Sequence, residues 1–371
     1  MTNPANELLD SNRRIYIVAT GAGAGLQKML WDVPGISKVL VGAEFPYAPE
    51  ATNRFLGFRP EEGYCSESAA IALAMEAYYR AFQPLAPPAV GLGLTASVAS
   101  NAEHRGDHRV YVATVTDTEC WVHRGILVKG HGPDARSRDG DISDRFGLSV
   151  LLQATGQKVT LRTAQEDPLQ IGYSLLGHES RECNEDAMNV LLGHPLFTAS
   201  GKRLPFLPNS PGLTLFPGAF NPPHDAHLWM AKETQAVFHI TINPPHKSAL
   251  GVAEVLQRAR FLEGSNRLFT KDDPLYIDKA RRFPGSKMLI GADALERMLD
   301  PKWGLEVGAM FDEFSKLGVK FLVVDREVDG KLVTLDTISG APKALCARLV
   351  NPVQHLGMSS TKIREAVGSF A

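Results

Sequence analysis

The strongest constraint on the fold is a recurrence in the second half of the chain. Short apolar runs at "LTLF" (213–216), "AVFHITI" (236–242), "KMLIGA" (287–292), "KFLVVD" (320–325) and "ALCARLV" (344–350) alternate with helix-like segments. Strands and helices in alternation spell an α/β architecture with a parallel, doubly wound sheet. Such sheets hold their ligands beyond the carboxyl ends of the strands. The residues that carry function are therefore expected just after strands.

The first half also alternates. "IYIVA" (15–19), "SKVLVGAEF" (37–45) and "AVGLGL" (89–94) read as buried strands. "SESAAIALAMEAYYRAF" (66–82) reads as an alanine-rich helix capped by Ser66 or Ser68. "RVYVATVTDTECWVHRGILV" (109–128) predicts an antiparallel hairpin turning at Thr116–Thr118, and "DISDRFGLSVLLQATG" (141–156) a helix closing at Gly156. Residues 157–210 read as a connecting region holding one helix, "NEDAMNVLLGH" (184–194). The Pro/Gly/Ser-rich run "GKRLPFLPNSPG" (201–212) marks a linker. The expected organisation is two domains, 1–156 and 211–371, on either side of 157–210, which suits a length of 371 residues.

Composition narrows the function classes. A net charge of -2 supplies no field for nucleic acid or an anionic membrane, so a charged ligand needs a local site. Cys65, Cys120, Cys183 and Cys346 are dispersed without a C-x-x-C pair, which fits free thiols in a reducing compartment. "MTNPANELLDSN" lacks the features of a secretory signal, and no apolar run approaches the roughly 18 residues of a membrane span. A cytoplasmic protein is the expectation, and a homo-oligomer is left open.

"GAFNPPHDAHLWMA" (218–231) follows the first strand of the second half. Gly218 permits a tight turn, the Pro-Pro pair enforces an extended approach, and a helix begins near Asp225. His224 and His227, three apart, share one side of its first turn. Imidazoles beside free backbone N–H groups at a helix start suit phosphate oxygens. A zinc pair would need further ligands that the surrounding sequence lacks, so no resident metal is expected. "GMSSTKIREAV" (357–367) places Ser359, Ser360 and Thr361 at the start of another helix, with Lys362 and Arg364 in its first turn. Hydroxyls, N–H groups and cations at one helix start suit a polyphosphate, although exposed basic residues also sit at such positions without a ligand.

These two stretches resemble the G-x-F-[DN]-P-x-H-x-x-H and [IM]-S-S-T-x-I-R motifs of the nicotinate/nicotinamide mononucleotide adenylyltransferases. "NPPHKSAL" (243–250) resembles that family's P-P-H-K segment, and "LIGADALERMLDPKW" (289–303) its strand-end G-x-D motif with a following Trp. The resemblance covers about 212–371 and keeps the family's motif order. Only "DPLYIDKA" (273–280) answers its S-Y-T-x-D-T-L stretch. It implies a Rossmann-like nucleotidyltransferase domain that moves AMP from ATP, with Mg²⁺, to a pyridine mononucleotide and releases pyrophosphate. It further implies an ATP site of Gly218, Phe220, His224, His227, Ser359, Ser360, Thr361 and Arg364, with Lys247 assisting on phosphate charge. Asp293 and Trp303 would hold the mononucleotide; capping of a helix by Asp293 and core packing by Trp303 are the plain alternatives. Relatives of this fold adenylylate phosphopantetheine, and "NPPH" favours the pyridine branch over them. The acid and amide forms of the pyridine are not distinguished.

"ATGAGAGL" (19–26) looks at first like a dinucleotide loop, but Leu26 stands where the third glycine of G-x-G-x-x-G belongs. Residues 14–156 instead resemble the CinA C-terminal domain of nicotinamide-nucleotide amidases, through "DVPG" (32–35), Tyr47 with Glu50-Ala51, "RFLG" (54–57) and Ser66-Glu67 before the long helix. The family's serine nucleophile falls on Gly21 and its lysine on Thr52, while Tyr47 remains. The resemblance thus implies an amidase-like domain without amidase chemistry. The alternatives left are nucleotidyl transfer to another phosphorylated acceptor, a non-catalytic pyridine-nucleotide sensor, and an amidase working by an altered route.

Overall fold

The computed structural model describes all residues except 1–2, 101–105, 131–133, 158–174, 206–211, 246, 301–305 and 368–371. The chain divides into two compact units, Met1–Gly193 with Gly251–Arg260, and His194–Leu250 with Phe261–Ala371. No helix among the described residues is long and apolar enough to cross a membrane.

The first unit is built on β1 (Arg14–Thr20), α1 (Ala24–Trp31), β2 (Leu40–Glu44), α2 (Pro49–Leu56), α3 (Glu67–Ala81), β3 (Ala89–Ser97), β4 (Arg109–Thr116), β5 (Cys120–Leu127), α4 (Ala135–Ala154), β6 (Leu175–Glu182) and α5 (Asn184–Gly193). Its six-stranded sheet runs β2-β1-β3-β4-β5-β6, parallel across β2, β1 and β3 and antiparallel beyond. β1 serves both faces through its period of two. Ile15 and Ile17 join the core with Leu26 and Leu30 of α1 and Phe146 of α4, whereas Val18 packs with Ala72, Leu73 and Ala77 of α3. Ser66 caps α3, its Oγ accepting from Ala69 N at 3.2 Å. The hairpin turns where Thr116 N donates to Glu119 O at 2.9 Å. α4 begins six residues before the expected Asp141, because Asp139 finds partners far away in sequence: it is fully buried, accepts from Ala99 N at 2.9 Å and lies 2.8 Å from His108.

Two glycines set how closely α3 approaches the sheet. A Cβ on Gly91 would lie 2.1 Å from Tyr78 N, and one on Gly93 would lie 2.3 Å from Ala70 O. "AVGLGL" is thus a strand whose glycine stripe faces helix backbone.

The second unit comprises β7 (Leu196–Phe197), β8 (Arg203–Leu204), β9 (Thr214–Pro217), α6 (Asp225–Thr234), β10 (Val237–Thr241), β11 (Arg267–Thr270), α8 (Tyr276–Arg282), β12 (Lys287–Gly291), α9 (Ala292–Met298), α10 (Val307–Lys316), β13 (Lys320–Val324), the small hairpin β14 (Arg326–Val328) and β15 (Lys331–Val333), β16 (Cys346–Leu349) and α11 (Ser360–Val367). α7 (Val252–Phe261), between β10 and β11 in the chain, falls largely in the residues grouped with the first unit. The sheet order is β16-β13-β12-β9-β10-β11-β7-β8, with β7 and β8 antiparallel at one edge and every other neighbour parallel. Read along the chain, the parallel part starts at β9, runs outward through β10 and β11, then returns to β12 on the other side of β9. The order therefore reverses between β9 and β12, and a doubly wound sheet opens a crevice at that point.

We predict that Gly91→Ala lowers stability by about 3 kcal/mol through overpacking. Gly140→Ala, inside α4 with nothing near the new methyl, should instead add up to about 1 kcal/mol through helix propensity. Urea unfolding of the two variants checks both signs.

Candidate functional site

Residues 218–231 leave the central strand β9 at the reversal point. Gly218 N donates to His239 O at 3.1 Å, which ties the strand end to β10. The chain then folds Phe220 back under itself, at φ 47°. A Cβ on Gly218 would meet that ring at 2.6 Å, so glycine here is a packing requirement. The Phe220 ring is buried and packs edge-on against Phe216, Phe238 and His227, with centroids 4.8–5.0 Å away. It supports the loop from beneath. Asn221–Pro222 is a cis peptide, and His224 in extended conformation is the N-cap of α6.

His224 and His227 stack with ring centroids 3.6 Å apart. Burial first, then the charge of Arg326, pushes His224 down to about 4. Burial, His224 and Arg326 push His227 down to about 3. Both imidazoles are therefore neutral at neutral pH. His227 Nδ1 accepts a long hydrogen bond from His224 N, 3.4 Å, which leaves Nε2 to carry the ring proton. Both ring nitrogens of His224 are buried, and among the described residues neither has a hydrogen-bond partner. A buried unpartnered donor costs about 1–3 kcal/mol, a cost that an incoming oxygen ligand would relieve.

The second motif docks on the first. Ser360 Oγ donates to Pro222 O at 2.7 Å, and the Arg364 guanidinium donates to Asn221 O. Arg364 also donates to Thr361 Oγ1 at 3.1 Å, and Ser359 Oγ caps α11 by accepting from Lys362 N at 3.2 Å. Ser360 and Arg364 thus sit on the carbonyls just before His224. Each of the three hydroxyls already has a protein partner, while guanidinium has donors to spare.

Asp293 lies in the first turn of α9, just past β12, the strand across the reversal from β9. It does not cap that helix: Gly291 is the N-cap, and Asp293 pairs with Arg297 at 2.9 Å and with Arg326 at 3.8 Å. Lys247 is exposed in the loop after β10, and among the described residues no hydrogen bond or ion pair joins it to the histidines. Trp303 lies outside the described residues. A cavity of about 240 Å³ adjoins α9; among the described residues it is lined mainly by apolar groups that include Leu275, Tyr276, Met298 and Met310, with Arg297 the charged one. Burial raises the Tyr276 phenol to about 12.

Sequence reasoning missed Arg326, the cation that acts on both histidines and on Asp293. Its signal was available: "VVDRE" puts charged residues directly past an apolar strand. Tyr276 falls in "DPLYIDKA", the stretch that matched its expected motif least. Among the described residues no group of three or more His, Cys, Asp or Glu could hold a metal ion.

In the first unit the amidase-like positions diverge. Gly21 sits at φ 80°, and a Cβ there would lie 2.1 Å from Ala96 O, so a serine could not enter without moving β3. Thr52 is buried, its hydroxyl donating to Pro46 O at 2.6 Å. Tyr47 is exposed, its hydroxyl accepting from Arg136 at 2.7 Å. The start of α1 is filled by the protein's own carboxylate: Asp144 Oδ2 accepts from Gly25 N at 3.0 Å. Burial raises Asp144 to about 6 against the opposing pull of the backbone N–H groups of Leu26, Gly25 and Gly23.

Comparison with known proteins adds two resemblances. No family model matches the chain. The phosphopantetheine adenylyltransferases of Neisseria meningitidis serogroups A, B and C are each 42% identical over 53 residues, 13% of this chain. The match spans 31% of the length of those relatives. Among solved structures, a CinA superfamily protein of Klebsiella pneumoniae 700603 aligns at a TM-score of 0.34 and 15% identity, over 42% of this chain and 94% of that one. The competence/damage inducible protein CihA of Agrobacterium tumefaciens aligns at 0.34 and 20%, over 41% and 91%.

The depressed histidines have a consequence for stability. In the folded protein His227 takes up a proton only near pH 3, whereas the unfolded chain does so near 6.5, so the stabilisation is complete above pH 6.5 and is lost as pH falls through that window. His227→Gln should therefore show a smaller drop in Tm between pH 7 and pH 4.5 than the wild type. Equal drops would contradict the assignment.

Proposed function

We propose that the second unit is a nucleotidyltransferase that moves AMP from ATP to the phosphate of a pyridine mononucleotide. The observation that carries this reading is the docking of Ser360 and Arg364 onto the carbonyls of Asn221 and Pro222, beside two neutral, stacked imidazoles at the reversal of the sheet. A phosphate oxygen of the acceptor attacks the α-phosphorus of ATP. The bond from that phosphorus to the bridging oxygen breaks, and pyrophosphate leaves with the electron pair. The chain contributes position and charge neutralisation rather than a covalent nucleophile.

Each residue has a task in this reading. His227 offers its Nε2 proton to the transferring phosphate, and His224 satisfies its unpartnered ring on a phosphate oxygen. Neutral imidazoles donate without demanding a second proton, so the contact persists across the neutral pH range. Arg364 and Arg326 supply positive charge, with Lys247 reaching in from its loop. Asp293 and the cavity beside α9 take the acceptor. Mg²⁺ arrives as part of the ATP substrate, in line with a donor set of imidazole, hydroxyl and guanidinium groups, which suits phosphate better than a cation. The first unit serves assembly or ligand sensing without amide cleavage, consistent with the backbone carbonyl that fills the space of a side chain at position 21.

The local similarity to phosphopantetheine adenylyltransferases supports nucleotidyl transfer in general and favours a second acceptor class, a phosphorylated flexible chain. An acceptor panel separates the two. With ATP and Mg²⁺, nicotinate or nicotinamide mononucleotide should yield a dinucleotide and pyrophosphate, identified by mass. Adenylylation of 4′-phosphopantetheine alone would transfer the assignment to the second class. No pyrophosphate with any acceptor would sink both.

A further inference from the structure

One wall of the cavity beside α9 is formed by Pro274 and Leu275, in the turn between β11 and α8. That turn is held from inside the protein by the Lys279 ammonium together with Thr241, whose Oγ1 lies 3.2 Å from Asp273 O. Lys279 Nζ donates to Thr241 Oγ1 at 2.8 Å, to Asp273 O, and to Pro274 O at 3.3 Å. Lys279 is only 5% exposed. Its counter-charge is Asp273, also buried, whose carboxylate accepts from Thr241 and Thr270 and lies 3.3 Å from His239 Nε2. These polar groups stand at the carboxyl ends of β10 and β11, next to the crevice.

A fully buried lysine is rare, and its desolvation costs several kcal/mol. An apolar side chain of the same length would fill the space without that cost. What it could not do is draw two successive carbonyls, of Asp273 and Pro274, onto one point. Neighbouring carbonyls of an extended chain point to opposite sides, so their convergence fixes the path of the turn that shapes the cavity wall.

We propose that Lys279 is a positioning residue for the acceptor: by clamping the carbonyls of Asp273 and Pro274 it sets the wall against which the non-phosphate end of the acceptor lies. This rests on the nucleotidyltransferase reading, in which that cavity takes the acceptor. Among the described residues no hydrogen bond joins Lys279 to the histidine pair or to Arg364, the groups that the nucleotidyltransferase reading assigns to the triphosphate.

The test compares steady-state kinetics of wild type, Lys279→Met and Thr241→Val, the last removing one partner while keeping the lysine. Lys279→Met should raise the acceptor KM about tenfold, the size of one lost charged hydrogen bond, with kcat and the KM for ATP nearly unchanged. Thr241→Val should move the acceptor KM in the same direction by a smaller factor, and it decides the matter if Lys279→Met does not fold. An unchanged acceptor KM, or equal effects on both substrates, overturns the proposal. If wild type turns over no acceptor, the nucleotidyltransferase reading fails by itself. The clamp is then read from amide exchange over residues 273–278, which should quicken in the variants; unaltered exchange overturns it.

Discussion

The candidate site depends on one long-range contact: the start of α11 set down on the loop that follows β9. Ser360 reaches Pro222 across 138 residues of sequence, and Arg364 reaches Asn221 across 143. These bonds satisfy carbonyls in a segment whose prolines cannot join a regular ladder. They also bring a guanidinium onto the loop that leads into a pair of neutral histidines. Without this contact the two motifs are separate helix starts.

Electrostatics in the second unit follow a consistent pattern. The imidazoles are desolvated and neutral, and the positive charge comes from arginines that deprotonation cannot remove. Asp293 balances Arg297 and Arg326 at the far side of the crevice. Polar groups concentrate at strand ends, while the body of the sheet is apolar, with Leu215, Phe238, Leu289, Phe321 and Val323 buried. The sheet is an apolar floor, and the groups of the candidate site stand at its carboxyl edge. The first unit shows the converse. Its glycine loop, which looks from sequence like a phosphate cradle, is closed by Ala96 O against Gly21 and by Asp144 at the head of α1.

Much of the fold was legible because it is written in local patterns. The parallel strands β9, β10, β12, β13 and β16, the hairpin of β4 and β5, and the Ser66-capped α3 all fall where apolar runs, turn residues and caps put them. What escaped notice depends on tertiary partners. β6, "LLGHESRE", is largely polar and pairs as an edge strand, while β7, β8 and β11 are two to four residues long. Such segments have too few side chains to show a period. The candidate site divides the same way. His224, His227, Ser360 and Arg364 stood out as motif residues, and the structure brings them together. Arg326, Tyr276 and Lys279 matter through neighbours that no local window contains.

In the proposed reaction the bond made is to the α-phosphorus of ATP, at the site of His227 and Arg364. The most direct measurement follows ATP labelled at the α-phosphate through a single turnover with Mg²⁺ and a pyridine mononucleotide. The label should appear in the pyridine adduct, with unlabelled pyrophosphate released, and His227→Ala should abolish the transfer while the protein stays folded. Label remaining in ATP or passing to free AMP, or transfer that survives His227→Ala, would contradict it.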